Sequence, residues 1–225
     1  MTDVFLVSAM RTAIGTFGGA LKDIPPAELG VATAKAAIAQ AGIPVDAIGH
    51  AVYGQVLPSE PADAYLARVI AVKAGVPVET PAFTVNRLCG SGLQAIVSAA
   101  QALKLGDCEV ALAGGAESMS RTPFQLPTHR WGRKLGDATL VDGLNEGLKD
   151  PFDKVLMGIT AENVAERHQV DRARQDALAL PQPRGDHDVD QPGLVLHAQK
   201  RHARGGLRPL PVRDDPRHQH PRRVL

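Results

Sequence analysis

The pattern of hydrophobic and polar positions divides the first half of the chain into short apolar runs and longer segments with helical periodicity. The apolar runs have the length and the composition of buried strands, and they cover residues 4–9, 51–57, 83–85 and 109–113. The pattern therefore predicts four strands in this half of the chain.

Helices are predicted between these strands. Residues 27–41 are strong helix formers that follow two prolines and stop at Gly42, and a second helix lies between Pro61 and Gly75. A third helix carries apolar residues at helical spacing: Leu93, Ile96, Val97, Ala100 and Leu103. Strand and helix thus alternate in the order βαβαβαβ. This order predicts an α/β fold with a mostly parallel sheet, right-handed crossovers and helices on both faces.

Cys89 stands at the junction of the third strand and the third helix. Unpaired backbone N–H groups and the positive end of the helix dipole stabilise a thiolate at such a position. Gly90 and Gly92 leave room for a ligand carbonyl, and the turn at Gly114 and Gly115 falls at the same ligand-binding ends of the strands. Position alone leaves a packing role open, since buried cysteines are common. Cys89 is nevertheless the candidate nucleophile.

Composition and charge exclude several classes of function. The net charge of +1 over 225 residues predicts no nucleic-acid partner and no anionic membrane surface. The chain has two cysteines, which form no disulfide framework and fit a reducing compartment. The apolar run at residues 4–7 is too short for a signal peptide or a membrane span, so we expect a cytoplasmic protein. Cys108, at the start of a strand, is predicted to be a packing residue.

The pattern changes after residue 117. Residues 118–154 are rich in proline, glycine and charge, which predicts either a functional lid or binding loop or a plain surface insertion. Thr160 is a candidate N-cap for a helix that runs to about residue 167, and a second helix fits residues 172–180.

Three stretches of the chain resemble one enzyme family. The sequence VNRLCGSGLQAI around Cys89 resembles the nucleophile motif of the thiolases, the acetyl-CoA acetyltransferase and β-ketothiolase family. GGAESMSRTPF at residues 114–124 and MGITAENVAER at residues 157–167 match the same family in order. Three long matches at family-like spacing make a specific signal. They imply a thiolase-like layered fold.

The resemblance implies an acyl-CoA C-acyltransferase in which Cys89 carries the acyl group as a thioester. The reaction would be Claisen condensation of two acyl-CoA molecules or thiolytic cleavage of a 3-ketoacyl-CoA. The substrates would be coenzyme A thioesters, with no further cofactor and no metal. Leu148 and Met157 match positions that line the acyl-CoA pocket, while Leu156 replaces a histidine of many members.

The family resemblance also implies self-association and a division of the chain. Intact members would form a homodimer or homotetramer through the strand at residues 82–85. Residues 1–117 would be the N-terminal core domain, and residues 118–180 would begin the loop domain that covers the pantetheine arm of coenzyme A. The backbone N–H of Cys89 would be one donor to the oxyanion that forms during acyl transfer.

Several catalytic groups of the family have no counterpart in this sequence. The activating histidine, the second cysteine and the asparagine that orients an oxyanion water belong to the C-terminal half of thiolases, and none of their motifs appears. We therefore expect no measurable turnover. Two alternatives remain open: a condensing enzyme of the ketoacyl-synthase type, and an inactive fragment that binds acyl-CoA or pairs with an intact subunit.

The last 45 residues, 181–225, have a different composition. They contain 7 of the 17 prolines and 5 of the 8 histidines but no Glu, Ile, Phe, Tyr, Met, Ser, Thr or Asn. Such a segment buries too little apolar surface to offset its ordering entropy, so we expect a disordered tail. The irregular spacing of its histidines argues against a metal site. Its composition resembles a GC-rich gene read out of frame, and we infer a frameshift near Pro181.

Overall fold

The structure of the protein is a computed structural model that describes residues 2–179 and 193–200. Four strands and three helices alternate first: β1 (Thr2–Met10), α1 (Pro26–Ala41), β2 (Ile48–Gly54), α2 (Leu66–Lys73), β3 (Ala82–Val85), α3 (Ser91–Leu105) and β4 (Val110–Gly115). The predicted alternation is therefore confirmed. Helix α1 ends before Gly42, whose φ of 65° lies in the left-handed region that favours glycine.

Strands β2, β3 and β4 form the parallel part of the sheet. β2 pairs with β3 on one side and with β4 on the other, so that Val52 lies between Phe83 and Ala113. β3 is one of the two edge strands of the five-stranded sheet, and all six residues of β4 are buried. The carboxyl ends of these three strands therefore lie next to one another.

A fifth strand corrects the prediction for the tail. β7 (Gly193–Lys200) pairs antiparallel with both β1 and β4, which gives the strand order β1-β7-β4-β2-β3. The predicted disorder of residues 181–225 is thus wrong for residues 193–200. The physical reason is that the backbone of β7 supplies hydrogen-bond partners to both neighbours, and the apolar run at residues 194–196 suits an interior strand. Residues 181–192 and 201–225 lie outside the described residues.

Helices cover both faces of the sheet, as predicted. Successive residues of β2 point to opposite faces: Tyr53 packs in a core with α1 and α2, and Val52 packs in a second core with α3. The first core includes Ala34, Ile70 and Leu112, and the second includes Ala99, Leu103 and Leu196. The many alanines bring the helices close to the sheet.

Residues 118–179 form short elements around the loop predicted above. They are β5 (Phe124–Gln125), β6 (Val141–Asp142), α4 (Gly143–Gly147), α5 (Met157–Arg167) and α6 (Arg172–Ala179). The predicted N-cap at Thr160 is wrong, because α5 already begins at Met157 and the Thr160 N–H donates to the Leu156 carbonyl. Neither α5 nor α6 has a buried residue. Among the described residues, no helix is both long enough and apolar enough to cross a lipid bilayer.

Candidate active site

Cys89 lies in a tight turn at the carboxyl end of β3, two residues before the first residue of α3. Gly90 is the N-cap of this helix, and the Cys89 side chain is exposed. The structure places Cys89 where the sequence predicted it, at a helix N-terminus and at the carboxyl end of a parallel strand. In the described residues, the N–H groups of Gly92 and Leu93 form no hydrogen bond, as expected in a first helical turn.

The turn before α3 holds an unusual backbone conformation. Leu88 has a φ of +49°, which costs a residue with a Cβ about 1–2 kcal/mol. The Ser91 hydroxyl accepts from the Arg87 N–H at 2.8 Å and donates to the Leu88 carbonyl at 2.6 Å. The Asn86 side chain accepts from the Leu88 N–H at 2.9 Å. Because each hydrogen bond contributes about 0.5–1.5 kcal/mol net, the three together offset the cost at Leu88.

Glycines allow the sheet to approach this turn closely. A Cβ on Gly54, the last residue of β2, would lie 2.5 Å from the Ser91 carbonyl carbon. A Cβ on Gly115, the last residue of β4, would lie 3.5 Å from the Cα of Gly92. The Ala116 N–H donates to the Gly54 carbonyl at 3.1 Å, which joins the two strand ends. No heavy atom lies within 4 Å of a Cβ built on Gly92, so that glycine faces open space.

The second cysteine occupies a different environment. Cys108 is partly buried, and a Cβ built on Gly49 would lie 2.7 Å from the Cys108 Cβ. Burial raises the pKa of the Cys108 thiol, and the negative charge of Asp107 raises it further. Because the thiolate is the nucleophilic form, this environment disfavours reaction at Cys108. The location agrees with the packing role predicted for it.

Two carboxylates that the sequence reasoning missed hold the loop after β2. Glu117 accepts from the N–H groups of Val56 at 2.8 Å and Leu57 at 3.1 Å. Burial raises the pKa of the Glu117 carboxyl, the two N–H donors oppose that rise, and nearby Asp63 adds to it. Asp63 is buried and accepts from the Gln55 amide at 3.0 Å. The loop after β2 is therefore rigidly attached to the segment that follows β4.

One signal in the sequence could have pointed to Asp63. Glu60 and Asp63 form a capping box at the short 3-10 helix Pro61–Tyr65. The usual box has Ser, Thr, Asp or Asn followed three positions later by Glu or Gln, so the clearer signal here is Pro61 at the first helical position with an acidic residue on each side of that turn. Glu117 has no comparable local signal, because its partners lie about sixty positions away.

The structure brings the two predicted pocket residues together. The N–H of Met157 donates to the carbonyl of Leu148 at 3.1 Å, and both side chains are about two-fifths exposed, at 41% and 39%. A Cβ on Gly147 would lie 2.9 Å from a methyl carbon of Leu57. The pocket residues are thus connected to the loop after β2. No hydrogen bond within residues 2–179 and 193–200 joins them directly to the Cys89 turn.

The candidate site has no metal-binding arrangement in the part of the chain that the structure describes. No group of three or more His, Cys, Asp or Glu side chains lies close enough together there to hold an ion. The chemistry available at the turn is that of a cysteine nucleophile with backbone N–H donors.

The close approach at Gly54 leads to a testable prediction. Gly54→Ala places a methyl group against backbone atoms that cannot move aside cheaply, so we expect a loss of about 1–3 kcal/mol in the free energy of unfolding. Gly92→Ala, in the first turn of α3, has open space and improves helix propensity, so the stability of this variant should be unchanged or higher. Urea unfolding of both variants makes the comparison, and equal stabilities would refute the close packing.

Comparisons with known proteins agree with this geometry. A sequence model of the family described as "Thiolase, N-terminal domain" matches residues 4–188. The chain is 57% identical over 178 residues to the beta-ketothiolase BktB of Cupriavidus necator, covering 79% of this chain and 45% of the relative. It is 44% identical over 178 residues to the mitochondrial 3-ketoacyl-CoA thiolase of Bos taurus, with the same coverage of 79% and 45%.

A solved structure agrees as well. The human mitochondrial 3-ketoacyl-CoA thiolase in complex with CoA superposes with a TM-score of 0.75 at 42% identity, covering 79% of this chain and 45% of that chain. The chain spans about half the length of the curated relatives it matches. The predicted fold class is confirmed, and neither alternative to a thiolase is favoured. This protein belongs to the thiolase family, and residues 4–188 correspond to the N-terminal domain of that family.

Proposed function

We propose that this chain supplies the acyl-accepting part of a thiolase, with Cys89 as the nucleophile. The observation that carries the proposal is the exposed Cys89 turn at the carboxyl end of the parallel sheet, within a region that the thiolase family matches. Cys108 is a weaker candidate because burial and Asp107 raise its pKa.

The first chemical step follows from the nature of the thiol. The Cys89 thiolate attacks the acyl carbonyl carbon, and the carbonyl oxygen becomes an oxyanion. When this intermediate collapses, the acyl group stays on the Cys89 sulfur as a thioester. The bond that breaks joins the carbonyl carbon to the CoA sulfur in an acyl-CoA, or to the α-carbon of the departing acyl-CoA in a 3-ketoacyl-CoA. The leaving group departs with the electron pair and takes up a proton. Backbone N–H groups beside the thiol stabilise the oxyanion, with the Cys89 N–H as the donor expected from the family.

The substrate class proposed is a coenzyme A thioester, either an acyl-CoA or a 3-ketoacyl-CoA. Two relatives from Cupriavidus necator are named for beta-ketothiolase and acetyl-CoA acetyltransferase activities. We place Leu148 and Met157 along the acyl-CoA pocket. Their apolar, partly exposed side chains, with Leu156 beside Met157, support a mainly apolar wall in that position. No further cofactor and no metal are needed for acyl transfer.

The proposed acyl transfer has a direct test. Incubation of the full chain with acetyl-CoA, followed by peptide mass spectrometry, should show one acetyl group on the peptide that contains Cys89, with CoA released as the leaving thiol. Cys108→Ala should be acetylated as fast as the unchanged chain, whereas Cys89→Ala should not be acetylated. Acetyl groups on Cys108, or an unmodified Cys89 after overnight incubation at excess thioester, would contradict the proposed function.

We also propose that the chain self-associates through β3. This strand is at the outside of the sheet, it has only four residues, and Phe83 on it is 42% exposed. Leu93 and Val97 on the following helix are exposed as well, which extends an apolar surface beside the strand. An outer strand with free backbone groups and apolar neighbours favours pairing with a second copy.

Light scattering tests this assembly. We expect a homodimer or homotetramer, and Phe83→Lys should shift the population toward monomer because it places a charge in the interface. Lys104→Ala, on the exposed part of α3, is the control and should leave the mass unchanged. A monomer at every concentration would contradict the proposal.

The two free cysteines are consistent with the cytoplasmic location that we propose for the protein.

A further inference from the structure

We propose that Asn86 is a positioning residue for the Cys89 nucleophile: its side chain holds the turn that presents the thiol at the start of α3. This inference rests on the proposed function, because it concerns the same thiol. It adds a residue whose side chain does not react but decides where the reacting sulfur lies.

The Asn86 side chain connects two backbone segments that are far apart in sequence. Its Nδ2 group donates to the carbonyl of Val56 at 3.2 Å, and its Oδ1 atom accepts from the N–H of Leu88 at 2.9 Å. Asn86 lies thirty positions from Val56, so this contact is set by the tertiary fold. One amide thus fixes the start of the Cys89 turn relative to the loop after β2.

The loop that Asn86 contacts is itself fixed. The Val56 N–H donates to Glu117, and the Gln55 N–H donates to the carbonyl of Val85 at 3.1 Å. Val56 is therefore held from β3 on one side and from the segment after β4 on the other. Because the Val56 carbonyl cannot move far, it gives the Asn86 amide a hydrogen-bond partner in a fixed position.

The turn needs such an anchor because Leu88 has a φ of +49°. Residues with a Cβ avoid this region, so Leu88 returns to a negative φ when nothing holds its N–H group. Cys89 is the next residue, and a change at Leu88 therefore redirects the Cys89 side chain. Ser91 closes the turn from the helix side, and Asn86 is its counterpart from the strand side.

The test uses alkylation by iodoacetamide at pH 7, with the rate at each cysteine measured in the same molecule by peptide mass spectrometry. Asn86→Ala should slow alkylation of Cys89 relative to Cys108 by roughly two- to fivefold, since loss of one of the three hydrogen bonds lets the turn leave the left-handed geometry in part of the molecules. Leu88→Gly in the Asn86→Ala background should restore most of the rate, because glycine adopts a positive φ without cost. Asn163→Ala, at an exposed asparagine in α5, is the control and should leave the ratio unchanged.

Any of the following three outcomes would overturn the proposal that Asn86 positions the Cys89 thiol. An unchanged or higher ratio in Asn86→Ala means that Asn86 does not position the thiol. A lower ratio that Leu88→Gly fails to restore means that the left-handed turn is not what Asn86 maintains. Parallel changes at both cysteines, with a lower melting temperature, indicate a purely structural role. Alkylation needs no acyl-CoA, so failure of the acetyl-transfer experiment leaves this result interpretable.

Discussion

The contact between the ends of two parallel strands and the first turn of α3 is the constraint on which the rest of the site depends. Gly54 and Gly115 end β2 and β4, and their missing side chains let the backbone of Ser91 and Gly92 lie directly against the sheet. A side chain at Gly54 would push α3 away and Cys89 with it, whereas a Cβ at Gly115 would lie 3.5 Å from the Gly92 Cα, an ordinary contact distance. The thiol is therefore presented by backbone packing, with glycine at each close approach.

Polar contacts around this packing fix the loops that surround the thiol. The carboxylates of Glu117 and Asp63 bind backbone and side-chain donors in the loop after β2, and Arg121 pairs with Glu60 at 3.1 Å. These groups are partly or fully buried, where a hydrogen bond left unmade costs more than it does in water. The loop after β2 thus has little freedom, and it contacts both Asn86 and the residue before Leu148. It connects the Cys89 turn with the proposed pocket.

Much of this architecture could be predicted from local sequence patterns. Apolar runs and helical periodicity correctly identified β1–β4 and α1–α3, although no residue of β3 is buried and Phe83 on it is 42% exposed. The start of α5 was missed because Leu156, its N-cap, has no side-chain cap that a sequence pattern could reveal. β7 was missed because the composition of the whole tail hid a short apolar run, and its pairing with β1 and β4 is a long-range property. The roles of Asn86 and Glu117 depend on partners thirty and sixty-one positions away, which periodicity cannot locate.

We propose that the fold makes Cys89, and not Cys108, the reactive thiol. Competition between the two cysteines for limiting iodoacetamide tests it most directly, in the native protein and again in urea. Cys89 should be labelled first in the native protein, since Cys108 is partly buried and its pKa is raised, and the two rates should converge in urea. Preferential labelling of Cys108 in the native state, or the same ratio in both conditions, would show that the fold does not select Cys89.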